Sequence, residues 1–120
     1  MTSSFGSEVR LSGGREFSRA LEGGRKIAGR NLVMWLVSSV SASVRLGLMI
    51  SRKSGGAVER NRFKRLAREA FRLTRSKLKP GHDMVVYIRP GCRWKKCQEA
   101  QKDLIDVCRS AGVLQLESKL

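Results

Sequence analysis

Between Arg52 and Lys79 the chain runs RKSGGAVERNRFKRLAREAFRLTRSKLK, and no other part of it is as informative. The stretch holds eleven Lys and Arg against two acids, Glu59 and Glu69, so it carries +9 of the chain's +15 in 28 residues. Wound as a helix at about 100° per residue, Arg60–Arg75 places Phe63, Leu66, Ala67, Ala70, Phe71 and Leu73 on one face. Asn61, Lys64, Arg65, Arg68, Arg72 and Arg75 cover an opposing arc of roughly 100°. One side can seal a core while the other presents a row of cations. A merely solvated helix face mixes its signs, because like charges one turn apart repel. Here Lys64/Arg68, Arg68/Arg72 and Arg72/Arg75 are like pairs with one Glu among them. Such a face points to a polyanionic partner, with nucleic acid ahead of a membrane or a heparin-like chain.

The composition fits that partner. At 120 residues the chain has the size of one domain, and 41% apolar residues suffice for one small core. The apolar residues are clustered and periodic, which excludes a disordered basic tail. An isoelectric point near 11.1 suits a protein that works against phosphate, where counterion release supplies affinity and makes it salt-sensitive. Cys92, Cys97 and Cys108 form no C-x-x-C pair, and His82 is the single histidine, ten residues from the nearest cysteine. A structural metal site is therefore not expected, and three reduced thiols fit a cytoplasmic protein. No segment has the length of a membrane span, and the N-terminal MTSSFGSEVRLSGG lacks the basic-then-apolar order of a secretory signal.

Residues 1–13, rich in Ser and Gly, read as a flexible arm, with a further strand pair near Leu11 as an option. Arg15–Glu22 is a short helix candidate stopped by Gly23 and Gly24. Asn31–Val37 and Val44–Ser51 read as two strands and are expected to pair as an antiparallel hairpin. Ser54-Gly55-Gly56 leads into the long basic helix, about Val58 to Ser76. Pro80-Gly81 is a turn, Asp83–Arg89 a third strand, and about Lys95 to Ser110 a last helix. Cys97, Ala100, Leu104, Val107 and Cys108 form its apolar stripe, and Gly112 closes it. The order α-β-β-α-β-α gives an α+β fold, a small α/β sandwich with helices packed on one sheet. The expected organisation is a single RNA-binding domain over residues 14–112, followed by a C-terminal tail at 113–120.

The sequence offers no catalytic constellation. A lone histidine has no nucleophile and orienting acid to work with. Asp103 and Asp106, three apart on a helix, read as a solvated face. Ser54-Gly55-Gly56 after Lys53 lacks the order of a phosphate-binding G-x-x-x-x-G-K-[ST] loop, although backbone contact with a phosphate at the start of the long helix stays open. Phe63 and Phe71 belong to the core face. Phe17 and Trp35 can pack in a core or line a groove where single-stranded bases stack, and taken alone each fits the core better.

The segment LGLMISRKSGGAVERNRFKRLAREAFR resembles the signature of the bacterial ribonuclease P protein component. The matching positions are Ser51-Arg52-Lys53 at a strand end, Gly55 in the loop, Ala57-Val58, Arg60-Asn61-Arg62, Lys64-Arg65, Arg68 and Ala70-Phe71. A weaker likeness covers about residues 15–112 and includes Glu16-Phe17, Gly24, the apolar strand at 32–37, Gly81 and Arg89-Pro90.

The resemblance implies a sandwich with a left-handed β-α-β crossover, against the usual handedness. It also implies a protein subunit of ribonuclease P. In that enzyme the catalytic RNA subunit, using magnesium ions, removes the 5′ leader of precursor tRNA. The implied partners are the RNA subunit, one protein to one RNA, and precursor tRNA; no membrane and no cofactor of the chain's own are implied. Carried over by position, Arg52, Lys53, Arg60, Asn61, Arg62, Lys64, Arg65, Arg68 and Arg72 are the candidate RNA-binding residues. Phe17, Leu21 and Trp35 are the candidates for the leader cleft, and none is a candidate for catalysis. Leu21 departs from the family, in which many members have Phe. The arm before the first helix departs too, with only Arg10 and Arg15 around Gly13-Gly14.

Two other classes account for the charge. A structural RNA-binding protein, such as a ribosomal protein, explains it equally well but not the spaced motif. A DNA-reading helix would mix Asn, Gln, Ser and Arg at base-reading positions, whereas this face is almost all Arg and Lys.

Overall fold

A computed structural model of the chain describes residues 14–39 and 43–115; residues 1–13, where an arm and an optional strand pair near Leu11 are expected, and residues 116–120 lie outside the described residues. Three α-helices and four strands follow in the order α1 (Gly14–Gly23), β1 (Arg25–Ala28), β2 (Leu32–Ser38), β3 (Arg45–Ile50), α2 (Ala57–Thr74), β4 (His82–Ile88) and α3 (Cys97–Ala111). Short 3-10 turns at Arg52–Ser54 and Arg75–Lys77 flank α2. The fold is α+β, with one sheet of strand order β1-β2-β4-β3.

The expected hairpin does not form. β4 lies between the two strands, antiparallel to β2 and parallel to β3. Asp83 to Val86 are buried on both faces of β4, as suits a central strand, and its two edges are filled by β2 and β3. The parallel pair β3/β4 is joined through α2, a β-α-β crossover. The fourth strand, β1, escaped the sequence reading. It is a four-residue edge strand, RKIA, with mostly exposed side chains, and one half-buried Ile27 makes no periodic signal.

Period-two alternation gives the sheet two different faces. Leu32, Met34 and Leu36 of β2, Leu46 of β3 and Met84, Val86 and Ile88 of β4 face the main core. α2 adds Phe63, Ala67, Ala70 and Phe71 to it, and α3 adds Ala100, Leu104, Val107 and Cys108. Leu73, expected in this core, is 42% exposed. It sits at the edge of the stripe, about 80° from Phe63. Thr74, near the stripe's centre, is buried in its place, and its Oγ1 donates to the Ala70 carbonyl at 2.8 Å. The chain also stays on the core past residue 112. Gly112 closes α3 with φ 75°, Val113 is buried, and Leu114 bridges to Leu78.

The opposite face carries Val33, Trp35 and Val37 of β2, Asp83, Val85 and Tyr87 of β4, and Gly47 and Met49 of β3. α1 packs there, over β2 and β4. Its buried Ala20 meets Val85, with Leu21, Trp35, Val37 and Met49 around them. Gly24 makes the tight exit from α1 possible. Its N–H donates to the Ala20 carbonyl at 2.8 Å, and a Cβ there would lie 2.3 Å from the same oxygen.

Candidate nucleic-acid interface

The α2 face away from the core is built as its spacing requires. Asn61 and Arg65 are exposed, and Lys64, Arg68, Arg72 and Arg75 are half-buried along the same arc. α2 begins where β3 ends. Ser51 Oγ accepts from the Lys53 N–H at 3.0 Å, and the turn leaves Arg52 and Lys53 exposed beside the first turn of the helix. Gly55 is needed here for its φ of 130°; a Cβ would also lie 2.4 Å from Glu59 Oε1, the movable end of that side chain. That same oxygen accepts from the Gly56 N–H at 3.3 Å, closing the helix start.

The Arg-Asn-Arg triplet does not present three equal side chains. Asn61 points with the basic arc, while Arg60 and Arg62 flank it and are half-buried. Arg60 Nε is buried and has no hydrogen-bond partner among the described residues. The Arg62 guanidinium lies 5.0 Å from the Phe63 ring centroid and donates to the Trp94 carbonyl at 3.4 Å. Arg62 therefore also packs the fold. Arg72 is engaged within the protein: its Nε donates to Glu69 Oε1 at 2.9 Å and its Nη2 to Glu69 Oε2. The hydrogen bond from Arg72 holds the Glu69 carboxyl below its usual range.

The second candidate region is the sheet face under α1. The strand register sets Lys26, Trp35, Val85 and Gly47 side by side, with Ala28, Val33, Tyr87 and Met49 in the next row. Leu21 and Trp35 come together against the Ala20/Val85 pair, and both are half-buried. Lys26 Nζ stands 5.7 Å from the Trp35 ring centroid. Phe17 lies on α1 one turn before Ala20 and Leu21; its side chain lies outside the described residues. Lys26, Met49 and Tyr87 were not picked out from sequence. Their only signal is the register, which a single sequence does not contain.

At one end of this face sits a charge cluster that sequence also missed. Asp83 is 1% exposed, and Arg45 grips it through Nε to Oδ1 and Nη2 to Oδ2, both at 2.8 Å. Arg19 adds Nη2 to Oδ2 at 3.2 Å and also donates to the Ser38 carbonyl. One carboxylate thus ties β3 and α1 to β4. Asp83→Asn keeps the shape but removes the charge that both guanidinium groups face. Because those groups are partly solvated, the expected loss is about 1–3 kcal/mol, below that of a fully buried pair. Urea unfolding will measure it, and an Arg19→Ala/Asp83→Asn double-mutant cycle should show coupling. Additive losses would contradict the link between α1 and β4.

The α3 side corrects another expectation. Asp103 is not merely on a solvated face, since its Oδ2 accepts from Trp94 Nε1 and from Asn31 Nδ2, both at 2.7 Å. Trp94 is buried at 2% exposure, so its indole N–H needs this partner. Asp106 does face solvent and pairs with Lys102 at 3.1 Å. Cys92, Cys97 and Cys108 are free thiols, and burial pushes Cys108 up to about 12. Among the described residues no three His, Cys, Asp or Glu side chains gather as a metal-binding group, and no helix is long and apolar enough to cross a membrane.

Known proteins are similar to this chain in sequence and in fold. The family described as Ribonuclease P matches residues 5–112. A ribonuclease P protein component of Alkaliphilus metalliredigens is 32% identical over 90% of this chain and 97% of its own length. One from Herpetosiphon aurantiacus is 38% identical over 80% of each chain. The solved RNase P protein of Staphylococcus aureus superposes with a TM-score of 0.78 at 29% identity, covering 88% of this chain and 97% of that one.

Proposed function

The chain belongs to the ribonuclease P protein family, and from that premise we propose how its two surfaces divide the work. As a member it is a subunit of the endoribonuclease ribonuclease P, which acts in tRNA 5′ processing. The family match removes the ribosomal-protein alternative. In this proposal α2 holds the catalytic RNA subunit through Asn61, Lys64, Arg65 and Arg68, with Arg52, Lys53, Arg60 and Arg62 at its start. Arg72 joins only by sharing itself between Glu69 and a phosphate. One observation carries the proposal: a helix sealed to the core on one side presents cations along the whole of the other. Charge-assisted contacts to phosphate position an RNA without reading its bases. Hydrolysis, and the magnesium ions it uses, are assigned to the RNA subunit, and the complex to the cytoplasm. The test is titration of a bacterial ribonuclease P RNA with the purified chain across a salt series. One protein per RNA with steeply salt-dependent affinity is expected; an affinity flat in salt would contradict it.

The face under α1 is proposed to hold the single-stranded 5′ leader. Trp35 offers a half-exposed ring with Lys26 beside it, and Leu21 borders it from α1. Trp35→Ala should weaken precursor tRNA binding to the assembled enzyme by about 1–3 kcal/mol, the range for a lost base–aromatic stack. Mature tRNA, which has no leader, should bind as before. A purely structural Trp35 would lower the melting temperature and weaken both ligands together. Leu21→Phe should strengthen precursor binding alone.

A further inference from the structure

We propose that Arg30 and Arg93 form a second RNA-backbone site at the end of the sheet, beyond the α2 face. The proposal rests on RNA being the partner and extends the surface that RNA covers. The strand register brings the parts level: Leu32 and Ile50 both stand opposite Ile88, so the β1–β2 turn, the end of β3 and the segment after β4 share one end. Three bonds fuse the turn to that segment. The Arg89 N–H donates to the Asn31 carbonyl at 3.0 Å, Arg89 Nη1 to the Gly29 carbonyl at 2.7 Å, and the Arg93 N–H to Asn31 Oδ1 at 3.1 Å. Asn31 Nδ2 in turn donates to Asp103 on α3. Arg30 and Arg93 thereby face one surface recess of about 270 Å³, with Trp94, Glu99, Lys102 and Asp103 completing its wall.

The charges in this recess are unequally committed. Asp103 Oδ2 is taken by Trp94 and Asn31. Glu99 Oε1 accepts the N–H groups of Lys95 and Lys96 at 2.6 and 3.1 Å. Lys102 turns to Asp106. Arg30 and Arg93 are exposed, and neither side chain has a hydrogen bond or ion pair among the described residues. Two uncommitted guanidinium groups lining one recess, whose Asp103 and Glu99 carboxylates are already hydrogen-bonded within the protein, match the non-bridging oxygens of a phosphodiester. The recess has no exposed apolar side chain to enter a lipid layer. Arg62, bonded to the Trp94 carbonyl, connects it to the start of α2, so one RNA can run across both.

The test compares Arg30→Ala/Arg93→Ala with Lys64→Ala/Arg65→Ala, using a bacterial ribonuclease P RNA in one arm and precursor tRNA with the assembled enzyme in the other. The first variant should lose roughly tenfold in affinity, and its log–log salt slope should fall by about 1.5, the change for two lost phosphate contacts. Its thermal melt should not move, because neither side chain supports the fold. Loss in the first arm assigns the recess to the RNA subunit, and loss in the second alone assigns it to the tRNA. Wild-type affinity and slope in both arms, with the α2 variant impaired, would overturn this site and leave the α2 proposal standing. If both variants bind as wild type, the α2 proposal falls with it.

Discussion

Replacing Lys64, Arg65 and Arg68 together by Ala should weaken binding to a bacterial ribonuclease P RNA by about a hundredfold or more near physiological salt, while leaving the protein folded. Each side chain lies on the α2 arc that faces away from Phe63, Ala67, Ala70 and Phe71, so no core contact is lost. Three phosphate contacts removed should lower the log–log salt slope by roughly two to three. Ala is the better helix former and the Lys64/Arg68 repulsion is relieved, so any loss of stability should be small beside the loss of binding. Weaker binding in a protein that still melts cooperatively is a combination that general damage to the fold would not produce. Arg62 is left out of this variant because it packs on Phe63 and reaches Trp94. Unchanged affinity in the triple variant, or a lower melt equal in size to the binding loss, would remove α2 as the RNA-binding face.

The largest expected effect on stability is at Phe71. Its side chain is fully buried, and with Leu32, Leu46, Leu48, Val86, Trp94 and Leu104 it surrounds a void of only about 10 Å³. The core is therefore already close-packed where sheet, α2 and α3 meet. Phe71→Ala should cost about 3–5 kcal/mol, from the lost burial and from a cavity that three packed elements cannot close. Phe71→Leu refills most of the volume and should recover most of the loss. Urea unfolding of both variants checks this. A change for Phe71→Ala within the roughly ±0.5 kcal/mol of surface substitutions would contradict the packing.

What the sequence could and could not tell follows from where each signal resides. α2 was legible on both sides because its period is local: the spacing that buries Phe63 and Phe71 also exposes Asn61 and Arg65. Leu73 and Thr74 exchanged places because polarity was read without the wheel's centre, where a Thr can satisfy its hydroxyl on its own helix. The strand order was not legible. Nothing local in β2 or β3 says that β4 will insert between them, and the hairpin expectation followed only chain order. Lys26, Met49 and Tyr87 became neighbours of Trp35 only through that order. Asp83 was equally hidden: its two partners, Arg19 and Arg45, are 64 and 38 residues away. The spaced motif from Ser51 to Phe71 carried the family before any contact was known.

The most direct measurement is cleavage of a precursor tRNA by a bacterial ribonuclease P RNA at a magnesium concentration too low for the RNA alone. Adding the chain should restore accurate cleavage at the 5′ end of the mature tRNA, and the Lys64→Ala/Arg65→Ala/Arg68→Ala variant should fail to do so at equal concentration. The chain without RNA should cleave nothing. Absence of stimulation by the wild-type chain, or cleavage by the RNA-free protein that survives ion-exchange purification and chelator controls, would contradict the account.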